Sequence, residues 1–233
     1  RGRTEIDGNG SLAVGNHTLL EAVKTISEQP ITIEVDTING LAKISYQNGL
    51  FSLPIDNSDE YPQTQEVDAN ANTIIISSNI LADNITRSVF ATGQEEIRRV
   101  MNGIYFDLTP ECLSIVATDG HKLVRNKVLN ITSESPASFI LPKKPATLLK
   151  GMLSKDGGDV VIKFDDRNAE ISFSDGTLTC RLIEGRYPNY NSVIPASNPN
   201  QLRVDRLALL SALRRVQPFA NGSSNLIRFR IDN

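Results

Sequence analysis

The feature that most constrains this chain is that it repeats itself. Residues 19–62 run through a Leu-Leu helical stretch, a polar loop and three strand-like segments, ending on Tyr61-Pro62. Residues 148–188 run through the same order and end on Tyr187-Pro188. Leu19 aligns with Leu148, Gly49 with Gly176 and Tyr61 with Tyr187, at offsets of 126–129 residues. A second pair, 77–106 against 204–231, aligns Phe90-Ala91 with Phe219-Ala220, again 129 apart. A period this long is a whole domain, not a solenoid unit. The expected organisation of the 233 residues is the C-terminal part of one domain at 1–68, a complete domain at 69–194, and the N-terminal part of a third at 195–233. The Pro195-Ala196-Ser197-Asn198-Pro199 stretch reads as an extended linker, because the residue before proline is pushed out of the helical region. The chain opens on Arg1-Gly2-Arg3 and stops just after the strand-like run Leu226–Ile231, so both ends are expected to cut through structure.

Within the complete domain the pattern is strand, helix, strands, helix, strands. The run 72–77 is β-branched and apolar, as strands favour. Residues 79–90 form a helix with Leu81, Ile85 and Val89 on one stripe. Strands are expected at 103–107 and 113–118, on either side of Thr109-Pro110-Glu111, then at 122–129 and 138–141. A second helix covers 142–153, with Pro142 in its first turn. Three more strands, 160–164, 169–173 and 177–182, make a meander through Asp-Asn and Asp-Gly turns. Two helices on antiparallel sheet is an α+β fold. At about 100° per residue, Leu148, Leu149, Met152 and Leu153 fall on one side of the second helix, and Lys143, Lys144 and Lys150 on the other. On the helix 206–216, Leu209, Leu210, Leu213 and Val216 form the apolar stripe, with Arg214 and Arg215 away from it. The equivalent helix of the first domain, around Leu19–Ile26, carries Lys24 outward with Glu21 and Glu28 beside it, so basic residues recur on equivalent helices of a chain whose net charge is −3. A solvated helix face is the plain explanation for any one of them; the recurrence is what argues for an anionic partner.

Catalytic constellations are missing. A metal site needs three or four ligands, yet the only histidines are His17 and His121 and no Cys-x-x-Cys occurs. Neither a Gly-x-Ser-x-Gly elbow nor a phosphate-binding Gly-x-x-x-x-Gly-Lys is present. The remaining enzyme reading pairs His121 with Asp119 as acid and base. Cys112 and Cys180 each sit in an apolar run and read as reduced, buried small hydrophobes, which fits a reducing cytoplasm. No run of about 18 apolar residues is present, so no membrane partner is expected.

The segment Ala117-Thr118-Asp119-Gly120-His121-Lys122-Leu123 follows Met101-Asn102-Gly103 and precedes Glu184-Gly185-Arg186-Tyr187-Pro188-Asn189-Tyr190 and Ile194-Pro195. In that order these motifs resemble the bacterial DNA sliding clamp, the beta subunit of DNA polymerase III, over essentially the whole chain. The resemblance implies the DNA-clamp fold: repeated domains, each with two helices facing a central hole and sheet outside, closed into a head-to-tail homodimer ring. It implies a processivity factor without catalytic residues, metal or cofactor, working in the bacterial cytoplasm and at the nucleoid during replication. Implied partners are double-stranded DNA of any sequence, the polymerase III catalytic subunit, the clamp loader and other proteins with a clamp-binding motif. A hydrophobic cleft between domains two and three takes their peptides in that family. The matching positions are Met101, Thr118, Gly120, His121, Lys122, Leu123, Pro188 and Val193. Met101, Leu123, Pro188 and Val193 would form its apolar pocket, Gly120 would allow close backbone approach, and Thr118 and His121 would give polar contacts at the rim. A position before Val193 that is usually basic in the family is Ser192 here. The implied phosphate-facing cations are Lys24, Arg87, Arg98, Arg99, Lys143, Lys144, Lys150, Arg206, Arg214 and Arg215. The competing class is a peptide-binding scaffold with no DNA role, which would have no reason to repeat basic faces.

Overall fold

The computed structural model describes residues 5, 7–61, 66–153, 157–222 and 224–230. Pro62 and Ile231, which carry parts of the expectations above, lie outside them. The first unit holds β1 (Ala13–Val14), α1 (Asn16–Lys24), β2 (Thr32–Asp36), β3 (Leu41–Tyr46) and β4 (Gly49–Asp56), with its four strands in the order β1-β4-β3-β2. Next come β5 (Asn72–Ser77), α2 (Ser78–Ser88), β6 (Gly103–Leu108), β7 (Leu113–Thr118), β8 (Leu123–Val128) and β9 (Ala137–Pro142). They are followed by α3 (Lys143–Met152), β10 (Asp159–Phe164), β11 (Asn168–Phe173) and β12 (Gly176–Arg181). These strands make two antiparallel sheets, β12-β11-β10-β5 and β8-β7-β6-β9. Helix α4 (Arg206–Val216) follows, started by the Asp205 carboxylate, which accepts from Ala208 N at 2.8 Å.

One core joins the two sheets and both helices of the middle unit. Ile74 and Ile76 from β5, Leu81 and Ile85 from α2, Ile104 and Phe106 from β6, Leu149 from α3 and Ile162 from β10 are all buried in it. Phe139 sits at its centre. Its ring stacks on Phe106 at 4.6 Å within its own sheet and meets Phe164 of the other sheet at 4.4 Å. The repeat reappears as geometry. In the first unit Val14 of β1 faces Ile55 of β4. In the middle unit the β9 residue Ile140 accepts from Ile183 N, just beyond β12, at 3.0 Å. Ile140 lies 126 residues after Val14, and Ile183 128 after Ile55.

Several local expectations are corrected. The helix expected over 79–90 is α2 only to Ser88, and Val89–Ala91 tighten into a 3-10 turn. Asn84 and Ser88 are buried on α2; the Asn84 amide bonds the Ile80 carbonyl and Ser88 Oγ accepts from Asn126, so polar residues occupy part of its packed face. On α3 the buried residues are Ala146 and Leu149, with Leu153 just beyond, whereas Leu148 and Met152 are exposed. The packed stripe is rotated by about 60° from the expected one. Ala146, whose small side chain allows close packing on that flank, is fully buried in the core. Cys112 closes the β6–β7 turn, its carbonyl accepting from Thr109 N and Oγ1, and so lies outside a strand. Cys180 is only partly buried, although burial still pushes its thiol up to about 11. Residues 226–230 form no strand, because a strand requires a hydrogen-bonded neighbour and no described residue supplies one.

Candidate functional site

The turn from β7 into β8 is built by its own side chains. Thr118, at the end of β7, is buried, and its Oγ1 donates to the Lys122 carbonyl at 2.7 Å while accepting from Gly120 N at 3.1 Å. The Asp119 carboxylate accepts from His121 N and Lys122 N, both at 3.0 Å, and pairs with Lys122 Nζ. The Lys122 ammonium, helped by these backbone N–H groups, holds the Asp119 carboxyl well below the usual carboxylate range. The Thr118 hydroxyl thus closes the turn. The acid–base reading fails on the same geometry: the Asp119 carboxylate is spent on backbone N–H groups and Lys122, not on the His121 ring. Among the described residues no cluster of His, Cys, Asp and Glu could hold a metal.

Gly120 has φ +90°, and a Cβ built on it would stand 2.7 Å from Arg98 Nη1. The turn needs glycine for backbone conformation and for space at once. Gly120→Ala is expected to lower unfolding stability by about 1–2 kcal/mol from the left-handed strain alone and to displace Arg98. Urea denaturation reads the first effect; a change near zero contradicts the strain account.

A strap of residues 183–191 holds the other side. Tyr187 stacks on Tyr105 of β6 at 4.5 Å with rings 5° from parallel, and its hydroxyl accepts from Thr118 N at 3.1 Å. Burial pushes the Tyr187 phenol up to about 12, so it stays a neutral group. Tyr190 donates to Asp107 Oδ2 at 2.7 Å and meets Tyr105 edge-on. Sequence reading used the two tyrosines as motif markers and missed that they fasten the strap. A Tyr-Pro-x-Tyr spacing is the only signal for it.

The eight cleft residues do not line one cavity. Met101, His121 and Lys122 line a cavity of about 270 Å³ with Phe90, residues 92–95, Arg98, Asn102, Asp119 and Lys143. Leu123 packs instead on a small cluster of Val116, Ile140, Tyr187 and Tyr190. Pro188 lies in a separate polar groove along the strap, and Val193 is 68% exposed just after Ser192, whose Oγ donates to the Asn189 carbonyl. Leu123 and Val193 are therefore apolar residues outside that cavity.

The basic residues separate into two groups. Lys24 pairs with Glu21 at 3.1 Å and Arg87 with Asp83 at 3.5 Å on their own helices. The structure brings Arg98 to the 118–122 turn, held by Glu95 at 2.7 Å, and not onto a helix face. Lys143 is half-buried in the cavity wall. Arg99, Lys144, Lys150, Arg206 and Arg214 are exposed and make no ion pair among the described residues; Arg215 is exposed and donates to Ser211 Oγ. No helix of the structure is long and apolar enough to cross a membrane, among the described residues.

Comparison with known proteins places this geometry. Residues 75–189 match the family model for the central domain of the DNA polymerase III beta subunit. The chain is 26% identical to the beta sliding clamp of Synechococcus elongatus over 98% of its own length and 61% of that protein. The crystal structure of the Bacillus subtilis DNA polymerase sliding clamp superposes with a TM-score of 0.86 at 26% identity, covering 95% of this chain and 59% of that one. The Helicobacter pylori beta clamp, solved bound to a DNA ligase peptide, superposes with a TM-score of 0.74 at 23% identity, over 83% of this chain and 54% of that one. The chain spans about three-fifths of the length of the curated relatives first matched.

Proposed function

Since this chain is a relative of the bacterial DNA sliding clamps, we propose that it is part of a ring that encircles duplex DNA and tethers the replicative polymerase, without catalysing a reaction itself. Residues 69–194 are read as a complete clamp domain, flanked by the C-terminal part of one at 1–68 and the N-terminal part of another at 195–233. The observation that carries the reading is the free charge on α3. In an acidic chain, Lys144 stands exposed opposite the buried Ala146–Leu149 stripe of α3 and Lys150 stands exposed on its flank, both without an ion pair among the described residues. Cations spread along a helix contact phosphates and not bases, which gives binding without sequence preference, as sliding requires. Topological linkage then keeps the ring on DNA while each contact stays weak. Lys24 and Arg87 belong to the same set but are partly neutralised by Glu21 and Asp83.

Leu123, Val193 and Met101 are read as parts of one half of the cleft for partner peptides of the polymerase, clamp loader and other clamp-binding proteins. The peptide-bound Helicobacter pylori relative supports that class of partner. The ring would be a homodimer in the bacterial cytoplasm and associate with the nucleoid during replication. The cleft is tested by titrating a labelled chain with a Gln-Leu-x-Leu-Phe peptide in two-dimensional NMR. Shifts confined to 118–123, Met101 and 188–193 are expected. A well-dispersed spectrum with no shift there contradicts this placement of the cleft.

A further inference from the structure

The strap 183–191 and the turn 118–122 are far apart in the chain, and the bond from Thr118 N to the Tyr187 hydroxyl joins them. The sheet leaves that N–H to be met from outside. The β6–β7 ladder ends at the pair Tyr105–Val116, so Thr118 lies two residues past its last rung. Thr118 is 7% exposed, and a buried N–H without an acceptor is costly. Tyr187 supplies the acceptor that β6 no longer gives. The place of its ring is fixed independently, by the stack on Tyr105 and by the cluster with Val116 and Ile140. The strap that carries it is anchored on both sides of Tyr187. Before it, Ile183 N donates to the Ile140 carbonyl, and Gly185, at φ +128°, lies so near Val100 that a Cβ would stand 2.8 Å from Cγ1. After it, Tyr190 donates to Asp107, and Arg125 Nη1 donates to Asn191 Oδ1 at 3.2 Å. From Thr118 the bonds run on into the turn, to the Lys122 carbonyl and from Gly120 N. One hydroxyl on a rigid strap therefore steadies the main chain that carries His121, Lys122 and Leu123. Tyr187 is itself buried and lines the polar groove along the strap, not the cavity that holds Met101, His121 and Lys122.

Resting on the peptide-cleft reading, we propose that Tyr187 is a positioning residue of that cleft: its hydroxyl holds the turn 118–122 in the shape that receives a partner peptide, without touching the peptide. Removing the hydroxyl leaves the ring on Tyr105 and frees the Thr118 N–H, so the turn visits other shapes. A site competent for only part of the time binds with an affinity reduced by that fraction. The reduction falls on the association rate, whereas loss of a direct contact acts on dissociation. The repeat supplies a contrast. Tyr61, aligned with Tyr187, is 70% exposed.

The test compares the unmodified chain with Tyr187→Phe, and with Tyr61→Phe as the loss of an exposed hydroxyl. Stopped flow follows a fluorescent Gln-Leu-x-Leu-Phe peptide, and NMR follows amide exchange. Tyr187→Phe is expected to bind about three- to tenfold more weakly, the range that one hydrogen bond gives. The loss lies in the association rate, with dissociation unchanged. Exchange quickens at Thr118 and Gly120 and stays as it was at Ile115, in the middle of β7. Tyr61→Phe changes neither readout. Equal affinity of Tyr187→Phe and the unmodified chain overturns the positioning role and leaves the cleft reading standing. A loss carried by faster dissociation overturns it too, because the hydroxyl then acts on the peptide directly. Weaker binding with faster exchange throughout β7 is general loosening of the sheet and also overturns it. No binding by the unmodified chain overturns the cleft reading and this role with it.

Discussion

Reversing both free charges on α3, Lys144→Glu with Lys150→Glu, is expected to weaken duplex binding by roughly 60-fold at 0.1 M salt and to flatten its salt dependence. Each phosphate contact releases about 0.9 of a counterion from duplex DNA, so two lost contacts lower the slope of log K against log salt by about 2. The two residues qualify because both are exposed and make no ion pair among the described residues, Lys144 opposite the core stripe of α3 and Lys150 on its flank. Arg87→Glu is expected to do less, because Asp83 already offsets much of the field of that guanidinium. Fluorescence anisotropy on two duplexes of unrelated sequence reads the effect, and thermal unfolding confirms that the fold survives. Equal affinity before and after the double reversal contradicts the role given to α3.

Phe139→Ala is expected to lower the unfolding free energy by about 3–5 kcal/mol. Phe139 is 5% exposed and its ring contacts one aromatic residue from each sheet, Phe106 and Phe164. Truncation leaves a void at the junction of the two sheets, and a close-packed core relaxes only partly into such a space. A domain of this size has about 5–15 kcal/mol of stability in total, so the variant should be marginal at physiological temperature. Leu148→Ala on α3 is the matched control, because Leu148 is 50% exposed and outside the packed stripe. Calorimetry that finds the two substitutions equally costly contradicts the packing described here.

Much of the architecture was legible because it depends on local pattern. The meander β10–β12 follows from β-branched runs broken by Asp165-Asp166-Arg167-Asn168 and Ser174-Asp175-Gly176, and the first turn supplies its own hydrogen bonds: Asp165 Oδ1 accepts from Arg167 N and Asn168 N, both at 2.7 Å. What was not legible depends on which faces meet. The apolar residues of α3 are the same in sequence and structure, but only packing shows that Ala146 is buried and that Leu148 is not. That the Thr118 hydroxyl closes the turn could not be read from its type, since only the structure shows the Lys122 carbonyl 2.7 Å away. The fastening of the strap by Tyr187 joins residues 69 apart, beyond the reach of any local rule. The cavity was missed for a related reason: residues 92–98 show neither helical nor strand periodicity, and their shape comes from bonds made by Met101 and Asn102.

The most direct test of the clamp reading is a two-dimensional NMR titration of the isotopically labelled chain with two short duplexes of unrelated sequence. The account predicts the same shifts with both duplexes, centred on α3 around Lys144 and Lys150 and on α4 around Arg206 and Arg214, and fading as salt is raised. Shifts that differ between the two sequences, or that fall on the strands β10–β12 and leave the helices unmoved, contradict it.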